Sequence, residues 1–229
     1  MSRKKKIIIL GCSLLALYYL IGFPLTLFGV VNKWHLFPGG ITLQFAGNKT
    51  HPYENEIVIP DSDGPYILYR NDSIYVTTIR VRDSVQIPET QAYPESERSN
   101  ITIACTFAKN PEWNFKTTLK ESLLNEHTYF SGVKKIVAIS DIEGNFERFR
   151  ELLLISGVID SAYNWAFDDG HLVLAGDFFD RGLNVTECLW LIYNLETKAA
   201  QAGGYVHFIL GNHEIMNMSY DFRYVRKKY

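Results

Sequence analysis

The stretch His171-Leu-Val-Leu-Ala-Gly-Asp-Phe-Phe-Asp-Arg-Gly182 decides how this chain folds. Four apolar residues follow His171, and a short apolar run of this kind suits a strand buried on both faces of an α/β sheet. The run leads into Asp177, and Asp180 and Arg181 follow soon after it. Charged side chains at the end of a buried strand predict a functional loop, because open α/β sheets bind ligands at the carboxyl ends of their strands.

Two similar segments flank this stretch. Lys134-Lys-Ile-Val-Ala-Ile-Ser-Asp141 lies before it, and Tyr205-Val-His-Phe-Ile-Leu-Gly-Asn-His-Glu214 lies after it. Asp177 is 36 residues from Asp141 (177 − 141) and 35 residues from Asn212 (212 − 177). Oxygen- and nitrogen-bearing side chains that recur at strand ends predict one metal site assembled from several loops.

Each interval between these segments has room for one helix. Apolar residues recur with helical spacing over 146–156 and over 185–195. Glycine closes each pattern, at Gly157 and at Gly203, as is common at the end of a helix. The sequence therefore predicts an α/β fold with the element order β-α-β-α-β and right-handed crossovers.

Two motifs in this region resemble those of a known family. Gly176-Asp-Phe-Phe-Asp-Arg-Gly182 and Gly211-Asn-His-Glu214 resemble the second and third signatures of the calcineurin-like metallophosphoesterases. They are most similar to the phosphoprotein phosphatase branch, whose pattern is GDxHG, GDxxDRG, GNHE. The continuation over 211–225 resembles the Shewanella-like phosphatases within that branch. The resemblance covers residues 134–229 and implies a partial calcineurin-like metallophosphoesterase fold there.

The resemblance implies a metal-dependent phosphoesterase that hydrolyses a phosphomonoester, such as a phosphoprotein, by attack of metal-bound hydroxide. It implies two divalent metal ions, of which Mn²⁺ is expected and Fe, Zn or Mg are alternatives. Carboxylates can bridge two cations, and a planar guanidinium can bind phosphate through two hydrogen bonds. Carried over by position, the metal ligands implied by the resemblance are Asp141, Glu143, Asp177 and Asn212. The implied catalytic residues are His213 as general acid, Asp180 as its orienting partner and Arg181 as the phosphate-binding cation.

The chain departs from the family pattern at two places. Position 143 is Glu where the family has His, and we expect this carboxylate to remain a metal ligand that favours Mn²⁺ or Mg²⁺. The family supplies two later histidines, whereas no histidine follows His213, so we expect a truncated chain that carries the N-terminal half of the domain. Two alternatives stay open. One is a dinucleoside polyphosphate hydrolase, a sibling chemistry, and the other is a non-catalytic membrane-anchored remnant of the fold, which both departures favour.

Residues 1–33 predict a membrane segment. The basic cluster Arg3-Lys-Lys-Lys6 precedes an uncharged run from Ile7 to Asn32, which is long enough to cross a bilayer as a helix. We favour an uncleaved signal anchor, with a cleaved signal peptide or a lipidated Cys12 as alternatives. Because the basic cluster should stay in the cytoplasm, this predicts a single-pass membrane protein with its catalytic region in the bacterial periplasm or at the cell surface.

Residues 34–133 predict a small β-rich, membrane-proximal region. Segments such as 73–81 and 100–104 are rich in β-branched and aromatic residues and are separated by Asp, Asn, Gly and Pro. Two prolines and several charged residues over 86–99 predict a loop or linker, and we expect a short helix over 117–125. This region holds no motif that carries a mechanism, so we favour a structural spacer, with a module that recognises substrate or a partner as the alternative.

The overall charge limits the classes of partner. The formal net charge is −2 at pH 7, and binding to nucleic acid needs a clear basic excess, so no nucleic-acid partner is expected. A phosphorylated substrate would have to be attracted by local metal and arginine charge. His171 and His207 lie in predicted strands, and we expect both to be structural.

Overall fold

The computed structural model describes residues 34–35, 42–43, 52–57, 61–123, 127 and 129–229. The chain divides into two compact units, Met1–Glu54 and Asn55–Tyr229. In the first unit, the two-residue strands β1 (Trp34–His35) and β2 (Thr42–Leu43) pair antiparallel. The signal anchor predicted over 1–33 lies outside the described residues and stays a prediction. In the ranges that are described, no helix has both the length and the apolar character needed to cross a membrane.

The second unit begins with antiparallel strands. Strands β3, β4 and β5 form one three-stranded sheet in that order, and β6 pairs with β7. The Asp83-Ser84 turn between β4 and β5 has φ angles of 51° and 62°, the conformation that matches the twist of a two-residue hairpin. The bounds are β3 Asp63–Arg70, β4 Ser73–Arg82, β5 Val85–Pro94, β6 Thr102–Cys105 and β7 Phe115–Thr118.

Two predictions for this region are wrong. The loop expected over 86–99 is strand β5 followed by a 3-10 helix over Glu95–Asn100. Pro88 and Pro94 are compatible with β5 because β5 is an edge strand, where a residue without an N–H group can face away from the ladder. The helix expected over 117–125 is also wrong, since 117–118 belong to β7 and the described residues 119–123 are not helical. Burial in β7 alternates from residue to residue, which is the period of a strand.

The predicted β-α-β-α-β order is confirmed. Three parallel strands form a sheet in the order β10-β9-β8, so each strand neighbours the next one along the chain. A short helix, α3, follows the last strand. The bounds are β8 Ile136–Ile139, α1 Phe146–Ile155, β9 His171–Leu174, α2 Val185–Ala202, β10 Tyr205–Phe208 and α3 Asn212–Met218.

One hydrophobic core joins the helices to the parallel sheet. Phe149 on α1, Leu172 on β9 and Leu195 on α2 are fully buried in it. Helix α2 also contacts β3, where the Trp190 indole N–H donates to the Pro65 carbonyl at 2.8 Å. The antiparallel strands and the parallel sheet therefore belong to one compact unit, and residue 134 marks a change in sequence character within it.

Candidate active site

The loops that follow β8 and β9 are joined by backbone hydrogen bonds. The Glu143 N–H donates to the Asp177 carbonyl at 2.9 Å, and the Gly144 N–H donates to the Phe178 carbonyl at 2.8 Å. Gly176 has a φ angle of 84°, and a Cβ atom there would collide with the backbone of Gly211. This close approach of three loops fixes the positions from which the predicted site residues project.

Five of the seven predicted site residues have the left-handed backbone conformation. Side chains other than glycine rarely adopt positive φ, and such strain concentrates at functional sites. Positive φ angles at the ends of both strands indicate that contacts between the loops, and not local residue preference, determine the backbone conformation here. The φ angles are 57° at Asp141, 49° at Glu143, 59° at Asp177, 72° at Asp180 and 55° at Arg181.

The best-defined feature of the site is a buried pair of His213 and Asp180. The His213 Nδ1 atom lies 2.6 Å from Asp180 Oδ2, and both side chains are almost inaccessible to solvent. Asn217 supports the pair, because its side-chain amide donates to Asp180 Oδ1 at 2.8 Å and to the His213 carbonyl at 3.0 Å. A carboxylate that holds Nδ1 fixes the imidazole ring and leaves Nε2 to exchange a proton with a ligand.

Arg181 lies beside this pair and is engaged on two sides. Its guanidinium forms an ion pair with the Glu143 carboxylate, and its side chain is 42% exposed. The guanidinium also lies 5.1 Å from the centre of the Tyr224 ring, and the Arg181 N–H donates to the Tyr224 carbonyl at 3.0 Å. The Tyr224 ring lies 5.3 Å from the His213 ring. Tyr224 therefore helps to position both the cation and the imidazole, although the sequence did not identify it as a site residue.

The predicted metal ligands do not form a cluster in this arrangement. Asp177 Oδ1 accepts a hydrogen bond from the His213 N–H at 2.9 Å, whereas Glu143 is paired with Arg181. Asp141 and Asn212 are exposed. Within the described ranges, no three His, Cys, Asp or Glu side chains are placed to hold a metal ion. The oxygen donors have the chemistry that Mn²⁺ or Mg²⁺ prefers, but Glu143 is bound to Arg181 in the observed arrangement.

Glu214 is a positioning residue that the sequence analysis missed. It is 2% exposed, and each of its carboxylate oxygens accepts two backbone N–H groups. Oε1 binds those of Phe178 and Phe179 at 2.7 and 3.0 Å, and Oε2 binds those of Asp177 and Gly211 at 2.8 and 2.7 Å. Burial opposes the charged form, but the four donors outweigh it and lower the pKa of Glu214. Its place three residues after Gly211, at the start of α3, is the one sequence signal for this role.

His171 and His207, expected to be structural, lie away from these loops. His171 is the first residue of β9, at the end of the strand opposite Asp177. Its Nδ1 atom lies 2.8 Å from His207 Nε2 on the neighbouring strand. Burial, followed by the nearby His171, lowers the pKa of His207. The two histidines bind each other across the sheet and contribute no group to the site.

Comparison with known proteins relates this region to a family of phosphoesterases. Residues 134–229 match the family model described as calcineurin-like phosphoesterase. Over 101 residues the chain is 42% identical to Shewanella-like protein phosphatase 2 of Arabidopsis thaliana, a match that covers 44% of this chain and 26% of that protein. Over 113 residues it is 34% identical to Shewanella-like protein phosphatase 1 of Plasmodium berghei, covering 49% of this chain and 31% of that protein.

Solved structures give the same result over a longer part of the chain. The cold-active protein-tyrosine phosphatase of a psychrophilic Shewanella species superimposes with a TM-score of 0.60 and 35% sequence identity. That match covers 74% of this chain and 49% of the solved chain. The chain thus spans about a quarter to a third of these curated relatives and about half of this solved structure. Residues 134–229 are thus similar to calcineurin-like phosphoesterases, and the resemblance to Shewanella-like phosphatases is confirmed.

Proposed function

We propose that the calcineurin-like phosphoesterase domain of residues 134–229 takes part in the hydrolysis of a phosphomonoester. The observation that carries this proposal is the buried His213–Asp180 pair beside Arg181, at the carboxyl ends of parallel strands. These groups supply a proton donor and a cation, which phosphate ester cleavage requires at the leaving oxygen and at the phosphate oxygens.

Each group has a defined role in this proposal. Arg181 binds the phosphate oxygens, since a guanidinium can donate two parallel hydrogen bonds to them. His213, protonated at Nε2, gives that proton to the ester oxygen as a water molecule attacks phosphorus and the phosphorus–oxygen bond to the alcohol breaks. The alcohol leaves neutral, and the phosphoryl group leaves as inorganic phosphate. Asp180 keeps the ring oriented and stabilises its protonated form through the 2.6 Å contact with Nδ1. For Arg181 to bind substrate, its ion pair with Glu143 must open.

A phosphorylated tyrosine in a protein is the substrate that we propose. The solved relative with 35% identity is named a protein-tyrosine phosphatase, and two curated relatives are named protein phosphatases. Tyrosine phosphate has an aromatic leaving group, and aromatic rings from Tyr224 and Phe222 lie near the predicted acid in the chain, both at least partly exposed. A phosphotyrosine peptide and the matching phosphoserine peptide separate this proposal from a general phosphomonoesterase.

Calcineurin-like phosphoesterases generally depend on divalent metal ions, which supply charge neutralisation and an activated water when bound. We propose Asp141, Glu143, Asp177 and Asn212 as the ligands, with Mn²⁺ as the expected ion. Their oxygen chemistry supports this assignment, whereas the Glu143–Arg181 pair opposes it. Binding an ion through all four side chains would require the Glu143–Arg181 pair to open, and the two-metal mechanism stays a prediction. Mn²⁺ binding followed by electron paramagnetic resonance, in the chain and in Asp177→Asn, tests the ligand set directly.

The same ion pair favours a second candidate function. With Glu143 and Arg181 bound to each other, one predicted ligand and the predicted phosphate-binding cation are both occupied. A non-catalytic protein that uses this surface for binding would retain such a pair, whereas a phosphoesterase must open it.

The membrane anchor over 1–33 and the extracytoplasmic location also remain proposals. An alkaline phosphatase fusion after residue 33 that is inactive in bacteria would contradict them.

Hydrolysis of p-nitrophenyl phosphate with added Mn²⁺ tests the proposed function. The chain should release nitrophenolate, and His213→Ala should do so at least about tenfold more slowly, because it lacks the general acid. Glu147→Gln, an exposed change on α1, is the matched control and should keep the rate. Equal background rates for the chain and for His213→Ala would refute catalysis by this site and favour the binding protein.

A further inference from the structure

A cavity of about 750 Å³ lies next to the site described above. Its walls come from β3, the 3-10 helix before β6, helix α2 and the segment that ends at Tyr229. This volume falls in the range of small-molecule sites, about 300–1,000 Å³. Asp180 and Asn217 are also among its lining residues, so the cavity borders the catalytic pair.

The walls are largely aromatic, and the polar groups of two of the aromatic residues are already bound. The Tyr193 hydroxyl accepts a hydrogen bond from the Lys120 N–H at 2.6 Å, and the Trp190 indole N–H donates to the Pro65 carbonyl at 2.8 Å. The Trp190 and Tyr193 rings lie 5.2 Å apart, nearly perpendicular to each other. Both rings line the cavity, which favours a flat aromatic group over a sugar or a polar chain.

Arg98 supplies a cation to this apolar lining. Its guanidinium lies 5.0 Å from the centre of the Tyr69 ring, and its Nε atom is buried without a hydrogen-bond partner among the described residues. A buried donor of this kind is costly until an acceptor binds it. By contrast, both oxygens of Asp180 are already used, by His213 and by Asn217. The unsatisfied polar group of the cavity is therefore a donor that carries positive charge.

We infer that this cavity binds a small aromatic carboxylate, with the ring system against Trp190 and Tyr193 and the carboxylate on Arg98. One guanidinium matches one carboxylate, and the nearby Asp180 disfavours a ligand with two negative charges. This site lies apart from the proposed phosphate site at Arg181 and does not depend on the proposed catalytic function.

Calorimetric titration with 4-biphenylacetate, and with its neutral analogue 4-biphenylacetamide, tests this inference. Arg98→Gln should weaken the carboxylate about 10- to 100-fold, as expected for a lost charge-assisted hydrogen bond, and should change the amide less than about twofold. Val225→Phe narrows the cavity from the C-terminal segment and should weaken both compounds more than about tenfold. Circular dichroism spectra that match the parent chain show that each variant is folded.

Two matched variants control for charge elsewhere. Arg70→Gln removes an exposed arginine next to Tyr69, and Arg181→Gln removes the cation of the proposed active site. Neither should weaken 4-biphenylacetate more than about twofold. The inference is overturned if the parent chain shows no saturable binding, if either control weakens binding as much as Arg98→Gln does, or if Arg98→Gln weakens the carboxylate and the amide equally.

Discussion

Replacing Glu214 with Gln should destabilise the fold while changing few other atoms. The Glu214 carboxylate accepts four backbone N–H groups, two on each oxygen. In Gln one oxygen becomes an NH₂ group, which donates and does not accept. Whichever way the amide is turned, two backbone N–H groups face a donor and lose their partner.

The size of the effect follows from those two donors. A buried, unsatisfied N–H group costs about 1–3 kcal/mol, so two of them predict a loss of about 2–6 kcal/mol in the free energy of unfolding. Glu214 is 2% exposed, so water cannot readily replace the lost acceptor. This loss is a large fraction of the roughly 5–15 kcal/mol that stabilises a typical domain.

Urea unfolding followed by circular dichroism measures this loss. Glu214→Gln should lower the urea midpoint without changing the slope m, and Glu147→Gln, exposed in the first turn of α1, should lose less than about 1 kcal/mol. If the protein remains folded, phosphatase activity should also fall, because Glu214 holds the backbone of Asp177 and Gly211. A loss below about 1 kcal/mol for Glu214→Gln would refute the claim that this carboxylate ties the two loops together.

Three further predictions follow from named contacts. Asp180→Asn should lower kcat for phenyl phosphate, whose leaving group needs protonation, about 100-fold with little change in KM, because the amide cannot stabilise protonated His213; an unchanged kcat would contradict this role. Arg181→Lys should raise KM about tenfold in the same steady-state assay, because an ammonium group cannot form two parallel hydrogen bonds, and an unchanged KM would exclude Arg181 as the phosphate site. Burial raises the pKa of Glu187 to about 7 from an ordinary value of 4.5. The stabilisation of the fold by protonated Glu187 is therefore fully present below about pH 4.5 and is lost as the pH rises through 7. Glu187→Gln should therefore be more stable than the parent chain at pH 8 in urea unfolding, and a lower stability at that pH would contradict the assignment.

The parallel half of the fold could be predicted because each signal there is local. Apolar runs mark β8, β9 and β10, and glycines mark the ends of the helices between them. Strand β5 was missed because its two prolines indicate a loop, and only its place at the sheet edge makes them compatible with a strand. Whether a strand lies at the edge of a sheet depends on the assembled sheet, so a short window of sequence does not indicate it.

The candidate site residues were proposed from the sequence, but most of their contacts were not. His213 and Asp180 were paired in advance, whereas the bond between Glu143 and Arg181 joins two side chains that had been given separate roles. Glu214 was missed because three of its four partners are backbone N–H groups of a loop more than thirty residues away. Contacts of this kind arise when loops from different strands meet, so sequence spacing alone does not reveal them.

The central claim is that His213 is the general acid of a phosphoesterase. The most direct test of this claim is how the rate depends on the leaving group. Rates are compared for phenyl phosphate, whose leaving group is poor, and p-nitrophenyl phosphate, whose leaving group needs little protonation. His213→Ala should lower the rate on phenyl phosphate about 100-fold or more. The factor by which it lowers the rate on p-nitrophenyl phosphate should be at least about tenfold smaller. An equal loss on both substrates, or no loss on either, would contradict the account.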